Sequence, residues 1–236
     1  MTDRTLRGLI EDLQARLVRL PGIRKWWGAG GNAGSSSPRS WRRRLISVLA
    51  IALVVGGIGV IGYPLYTNLK HDRLQARLAR QLTSQQLAAE YRTGQVKVGD
   101  SLTRIKIPAL GVDTVVVQGT TESALEAGAG HYPASPLPCE AGNVAIAGHR
   151  TTYGKPFTNL NLLKPGDTIE LDTPIGGCVY TVAENPFVVT PNDVAVVSEL
   201  ADSTAKSLTL TTCNPKGSAA QRLVIRATWS KDLQPV

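Results

Sequence analysis

From residue 45 the chain runs LISVLAIALVVGGIGVIGYPLY, twenty-two positions without a charge and with almost no polar side chain. At about 1.5 Å per residue this reaches roughly 33 Å, enough for a bilayer core of about 30 Å. A core helix of a soluble protein keeps one polar face, and this stretch has none. A cleaved signal peptide would have a shorter apolar run followed by a small-residue cleavage site. Tyr63-Pro64-Leu65-Tyr66-Thr67-Asn68 offers no such site, and its tyrosines suit a membrane interface. The pattern therefore predicts an uncleaved transmembrane helix over 45–66. Beyond it, Leu69, Leu74, Leu78, Leu82 and Leu87 recur among Arg, Gln and Ala, which predicts an amphipathic stalk that sets distance from the membrane. Ahead of it, Leu6, Leu9, Ile10, Leu13, Leu17 and Leu20 have helical spacing suited to lying on anionic lipid. Residues 28–40, GAGGNAGSSSPRS, read as a flexible linker.

From about residue 96 the period changes. Runs rich in β-branched residues appear at 103–107, 113–118, 143–147, 168–171, 179–184, 187–190, 207–212 and 222–228. Turn signals such as Pro165-Gly166-Asp167, Pro191-Asn192-Asp193 and Asn214-Pro215-Lys216-Gly217 separate them. Seven or eight short strands at this spacing predict an all-β barrel or sandwich. A short helix is expected over 121–127, capped by a threonine and closed by Gly128.

Charge sharpens the division. The 236 residues carry +8, but residues 1–44 alone carry +7 and the remainder only +1. A nucleic-acid groove needs its basic residues on the folded part, so that class is excluded. The basic residues crowded before the apolar run, Arg42-Arg43-Arg44 among them, predict a cytoplasmic N-terminus and an extracellular remainder. The expected organisation is a basic tail (1–44), a transmembrane helix (45–66), a helical stalk (67–95), a β-domain (96–231) and a short C-terminal tail (232–236).

Three cysteines lie in the β-domain: Cys139, Cys178 and Cys213. An odd count outside the membrane leaves one thiol unpaired. A Cys139–Cys178 bridge would leave Cys213; otherwise all three are small buried side chains. Cys213 ends the run LTLTTC, and a thiol nucleophile needs a base or cation nearby. Of three histidines, His71 belongs to the stalk, while His131 and His149 each follow a glycine in the β-domain. His149 emerges at the end of the run NVAIA. Arg222 opens the run RLVIRA after the loop 214–221, so a hairpin would bring guanidinium and thiol to one end. A fixed cation there would favour thiolate and hold an oxyanion. Arg226 shares a face with Arg222 by alternation.

Taken together, these residues resemble the sortases, membrane-anchored cysteine transpeptidases of Gram-positive bacteria. Thr209-Leu210-Thr211-Thr212-Cys213 matches the family motif TLxTC, Ala147-Gly148-His149 its histidine, and Arg222 its arginine. The strings GHYPASPLPCEAGNVAIAGHRTTYGKPF and LTLTTCNPKGSAAQRLVIRA are similar to class E, the actinobacterial housekeeping type. The resemblance covers about 96–231 and implies an eight-stranded β-barrel with short helices. It also implies a catalytic set of Cys213, His149 and Arg222, and needs no cofactor or metal. The implied reaction cleaves a C-terminal LAxTG- or LPxTG-like sorting signal between Thr and Gly. The protein then passes through a thioester to an amine of a lipid-linked peptidoglycan precursor. Tyr132, Thr151, Tyr153 and Thr211 adjoin the matched motifs as substrate-pocket candidates. Cys139 and Cys178 depart from the family strings, so their pairing is a separate expectation. Two other readings stand beside this one. Pilin polymerisation uses the same chemistry, but the Asp-Pro-aromatic lid it often carries is missing from 67–110. A membrane-tethered β-barrel that binds wall or protein would need no catalysis at all.

Overall fold

In the computed structural model of the chain, the described residues are 38–198 and 204–233. The amphipathic segment expected over 5–20 lies outside them, as does most of the expected linker, whose last three residues open a helix. The chain divides into two units, 1–55 and 56–236. Helix α1, Pro38–Leu82, begins in the first and ends in the second. In the first unit its apolar side chains, among them Leu45, Val48, Leu49, Leu53 and Val55, are exposed at 47–69%. Exposure on every side is what a lipid-facing helix shows and a soluble core helix does not. By length and composition α1 is able to cross a membrane.

In the second unit the helix does more than stand off. Leu78 and Leu82 of α1 share a face with Leu87 and Tyr91 of helix α2, Gln85–Arg92. Ser84 caps α2, its side chain accepting from the Leu87 amide. This apolar face is buried on Leu102, Val115 and Val117 of the barrel and on Ala124 and Ala127 of helix α3, Glu122–Ala127. Two glutamines that the sequence pattern treats as solvent-facing bond to the barrel. Gln75 donates to the carbonyls of Ala127 (2.6 Å) and Val115 (3.1 Å) and accepts from the Val115 amide (2.7 Å). Gln81 donates to Asp100 at 2.6 Å. The expected stalk is thus, from about Lys70 onward, a layer packed on the barrel wall.

Among the described residues nine strands follow: β1 Ser101–Ile107, β2 Val112–Gln118, β3 Ala129–His131, β4 Gly142–Ala147, β5 Thr168–Thr173, β6 Gly176–Val182, β7 Phe187–Val189, β8 Lys206–Asn214 and β9 Gln221–Leu233. Their order is β6-β5-β1-β2-β3-β4-β8-β9, and β6 pairs back onto β9 to close an eight-stranded barrel. The short β7 lies on the same edge of β9, paired with Arg222–Val224 where β6 has left off. Alternate residues fill the interior, including Ile105, Ile107, Val144, Ile146, Leu208, Leu210, Leu223 and Ile225. Each of the eight expected runs overlaps a strand, though β6 ends at Val182 and β7 at Val189, short of the expected 184 and 190. β3 was not anticipated, because three residues are too short to show an alternation. Helix α3 has the expected threonine, with Thr121 Oγ1 accepting from the Ala124 amide. Cys139 and Cys178 are joined by a disulfide, their Cα atoms 5.7 Å apart, tying the loop before β4 to β6.

Candidate active site

Two ladders bring the three matched residues to one rim. β4 and β8 are parallel neighbours, with Val144 beside Leu208 and Ala147 beside Thr211. Parallel strands end on the same side, so His149 and Cys213, each two residues further on, leave the barrel together. The junction is fastened by Gly148 N–H to Thr211 O (3.0 Å) and Thr212 Oγ1 to Gly148 O (2.7 Å). β8 and β9 are antiparallel, and Cys213 is directly opposite Arg222. Leu208 and Leu210 point inward, so alternation sends Thr209, Thr211 and Cys213 to the outer wall. Leu223 and Ile225 likewise place Arg222 and Val224 outside. Thiol and guanidinium therefore start from the same face of a directly opposed pair, whose Cβ atoms are about 5 Å apart in such ladders.

Cys213 is a free, half-buried thiol. Arg222 is half-buried as well, and its Nη1 donates to the carbonyls of Ala219 (3.0 Å) and Gln221 (3.1 Å), which holds it on its own loop. The His149 ring is half-buried, and its Nε2 has no hydrogen-bond partner. Burial pushes its pKa below the ordinary imidazole value, and His71 adds to this, while the carboxylates of Glu126 and Glu122 oppose it. The net effect favours the neutral ring. Gly148 before it is required by space: a Cβ there would lie 2.5 Å from the ring of Phe157, which is fully buried.

Arg150 is the residue that sequence reasoning missed. It is 7% exposed, and its Nη1 donates to the Cys213 carbonyl (3.1 Å) and to Asn214 Oδ1 (2.6 Å). Its Nη2 donates to Asn161 Oδ1 at 3.0 Å, and its own carbonyl accepts from Thr158 Oγ1. It links the loop after His149 to the strand end that carries Cys213. The one available signal was a second charged residue directly after the histidine.

Among the pocket candidates, the Tyr132 hydroxyl and Thr211 Oγ1 are 3.2 Å apart, and Thr211 shares the face of Cys213. The Tyr153 ring lies 5.4 Å from that of His149. Thr151 is exposed in the following turn and joins neither group. Arg226 sits over the ring of Phe187, 5.5 Å from its centroid. His131 is fully buried between Gln118 Oε1 (2.7 Å) and the Pro136 carbonyl (2.8 Å). Burial holds its pKa down to about 4, so it is a neutral strut. His71, read as a stalk residue, is buried against Gly154.

The chain resembles known proteins in sequence and in fold. Residues 105–230, more than half of the chain, match the sortase domain family model. The sortase SrtE1 of Streptomyces coelicolor is 29% identical over 178 residues, 70% of this chain, and the chain spans about half the length of that relative. Among solved structures, a sortase D5 transpeptidase of Clostridium perfringens superposes with a TM-score of 0.59 at 28% identity, over 68% of this chain and 98% of the other. Sortase E of Streptomyces avermitilis gives 0.54 at 31% identity, over 58% and 91%. A closed eight-stranded barrel with a thiol, an imidazole and a guanidinium on three adjacent strand ends, together with this match, leads to one conclusion: the chain belongs to the sortase family.

Proposed function

We propose that this sortase is an anchored transpeptidase of the class E housekeeping type. It cleaves an LAxTG- or LPxTG-like C-terminal signal between Thr and Gly and passes the new carboxyl to an amine of a cell-wall precursor. The observation that carries the reading is the register of β4, β8 and β9, which gathers His149, Cys213 and Arg222 at one rim. In the first step Cys213 passes its thiol proton to His149, the resulting thiolate adds to the threonine carbonyl, and Arg222 stabilises the oxyanion. Collapse of the tetrahedral adduct breaks the Thr–Gly bond, His149 gives a proton to the departing glycine amine, and a thioester remains. In the second step neutral His149 takes a proton from the incoming amine, which attacks the thioester and releases the Cys213 sulfur. The Tyr132 and Thr211 hydroxyls, on the wall beside the nucleophile, serve the signal's backbone or small side chain.

Localisation follows from α1 and from charge. The apolar segment spans the cell membrane with the Arg42-Arg43-Arg44 end in the cytoplasm. The barrel then meets secreted substrates and lipid-linked acceptor on the outer face. The test uses the full chain in lipid nanodiscs, a quenched fluorescent LAxTG peptide and a glycine- or diaminopimelate-type amine. Amine-dependent product that Cys213→Ala abolishes supports the reading. No product and no trapped thioester with either LAxTG or LPxTG peptide favours a binding module on a sortase barrel.

A further inference from the structure

The His149 ring lacks what usually orients a catalytic imidazole. Its Nε2 is buried without a hydrogen-bond partner. Its closest described ring neighbour is Tyr153, 5.4 Å between centroids and tilted by 37°. That tyrosine stands on an unusual stretch of backbone: Tyr153, Gly154 and Lys155 have φ of 48°, 69° and 42°. Left-handed conformations suit glycine alone, and cost other residues about 1–2 kcal/mol each. Three in succession persist only where the surroundings impose them.

The surroundings that impose them come from helix α1. The ring of His71, itself 8% exposed, lies so close over Gly154 that a Cβ there would be 2.3 Å from Nε2. One residue earlier, Lys70 Nζ donates to Glu126 Oε2 of α3 at 2.5 Å. The Glu126 carboxylate is held below its usual range first by Lys70 and then by the Tyr153 hydroxyl. The Tyr153 hydroxyl is pushed upward by the same carboxylate and by Tyr63, two turns earlier on α1. The contacts form one path: α1, through Lys70 and His71, to Glu126 and the 153–155 turn, and from there to the face of His149.

We infer that helix α1 belongs to the catalytic apparatus, with Lys70, His71, Glu126 and Tyr153 acting as positioning residues that hold the His149 ring. This rests on His149 being the acid–base group proposed above. The charged and titratable groups facing His149 are Glu122 and Glu126 from α3, His71 from α1 and Tyr153 from its own loop. Of these, the carboxylates favour the imidazolium and His71 disfavours it.

The experiment uses the full chain in nanodiscs with the LAxTG peptide and amine acceptor, and reads kcat, KM, the pH profile and the unfolding midpoint. Lys70 is 39% exposed, so Lys70→Met leaves the core intact. Lys70→Met and Tyr153→Phe lower kcat roughly tenfold, within the hundredfold or so that slight misplacement of a catalytic group costs. Their peptide KM and unfolding midpoint stay near wild type, and Lys70→Arg restores most of the rate. Glu126→Gln removes a charge that favours imidazolium, and moves the His149 limb of the pH profile to lower pH. Arg104→Met, which breaks the Arg104–Asp113 pair elsewhere on the barrel, retains wild-type rates. Wild-type kcat and pH profile in Lys70→Met, Tyr153→Phe and Glu126→Gln would overturn the inference while leaving the sortase reading in place. So would a loss in Lys70→Met that Lys70→Arg shares in full. An inactive wild type would instead overturn the functional reading, and the inference with it.

Discussion

Arg150 Nη1 donates to the backbone carbonyl of Cys213 across 3.1 Å, so the residue after the proposed base holds the main chain of the proposed nucleophile. The guanidinium spreads over three acceptors, from Cys213, Asn214 and Asn161, in a planar arrangement that an ammonium cannot copy. Removing it leaves buried acceptors unpaired, at about 1–3 kcal/mol for each that finds no water. Arg150→Met is expected to lower the unfolding midpoint and to reduce kcat by roughly 10- to 100-fold through displacement of Cys213 against His149. Arg150→Lys recovers little of either. Steady-state kinetics with thermal unfolding of both variants check this.

The cross-strand pairing of Cys213 with Arg222 predicts a division of labour. Cys213→Ala forms no thioester. Arg222→Met still forms one, but its kcat falls by about 100- to 1000-fold, the usual cost of losing an oxyanion partner. Intact-mass measurement of the trapped acyl-enzyme, taken over time for each variant, separates the two.

His131 makes barrel stability depend on pH. Unfolded, the ring titrates near 6.5; folded, burial holds it at about 4. Between those values the unfolded chain binds more protons, so stability is complete above about 6.5 and falls as pH drops toward 4. The difference corresponds to about 3 kcal/mol. His149 and His71 are pushed the same way by burial and add to the slope. Chemical denaturation at a series of pH values should show the fall, and His131→Gln should flatten it.

The Cys139–Cys178 bond closes a loop of 39 residues in sequence separation, which in the chain-entropy account stabilises by roughly 4 kcal/mol. Reduction should lower the unfolding midpoint by several degrees. Alkylation before reduction should label Cys213 alone, and after reduction all three cysteines. Mass spectrometry that labels three cysteines without reductant would refute the bond.

Much of the fold is legible because it is locally encoded. The apolar stretch of α1 has no polar face, and β1, β4, β8 and β9 are short runs rich in β-branched and apolar residues, set apart by turn residues. The short loop between Cys213 and Arg222 reads as a hairpin for the same reason: neighbours in sequence pair in space. Strand β3 escaped because three residues carry no period. His71, Gln75 and Gln81 escaped because a polar residue on an amphipathic helix looks solvent-facing, whatever it later bonds.

By itself, then, the sequence determined an apolar segment able to span a membrane, a β-domain after it, and a thiol and a guanidinium on one hairpin. Local periodicity and short loop closure are sufficient for each. Tertiary structure alone decided that His149 and Cys213 leave the barrel at one rim, since the parallel β4–β8 pairing joins segments more than sixty residues apart. It also decided that Arg150 bonds the Cys213 carbonyl, that Lys70 pairs with Glu126 and that His71 lies against Gly154 of the 153–155 turn. Those contacts arise only when the barrel closes and α1 lies down on it, because no single segment contains both partners.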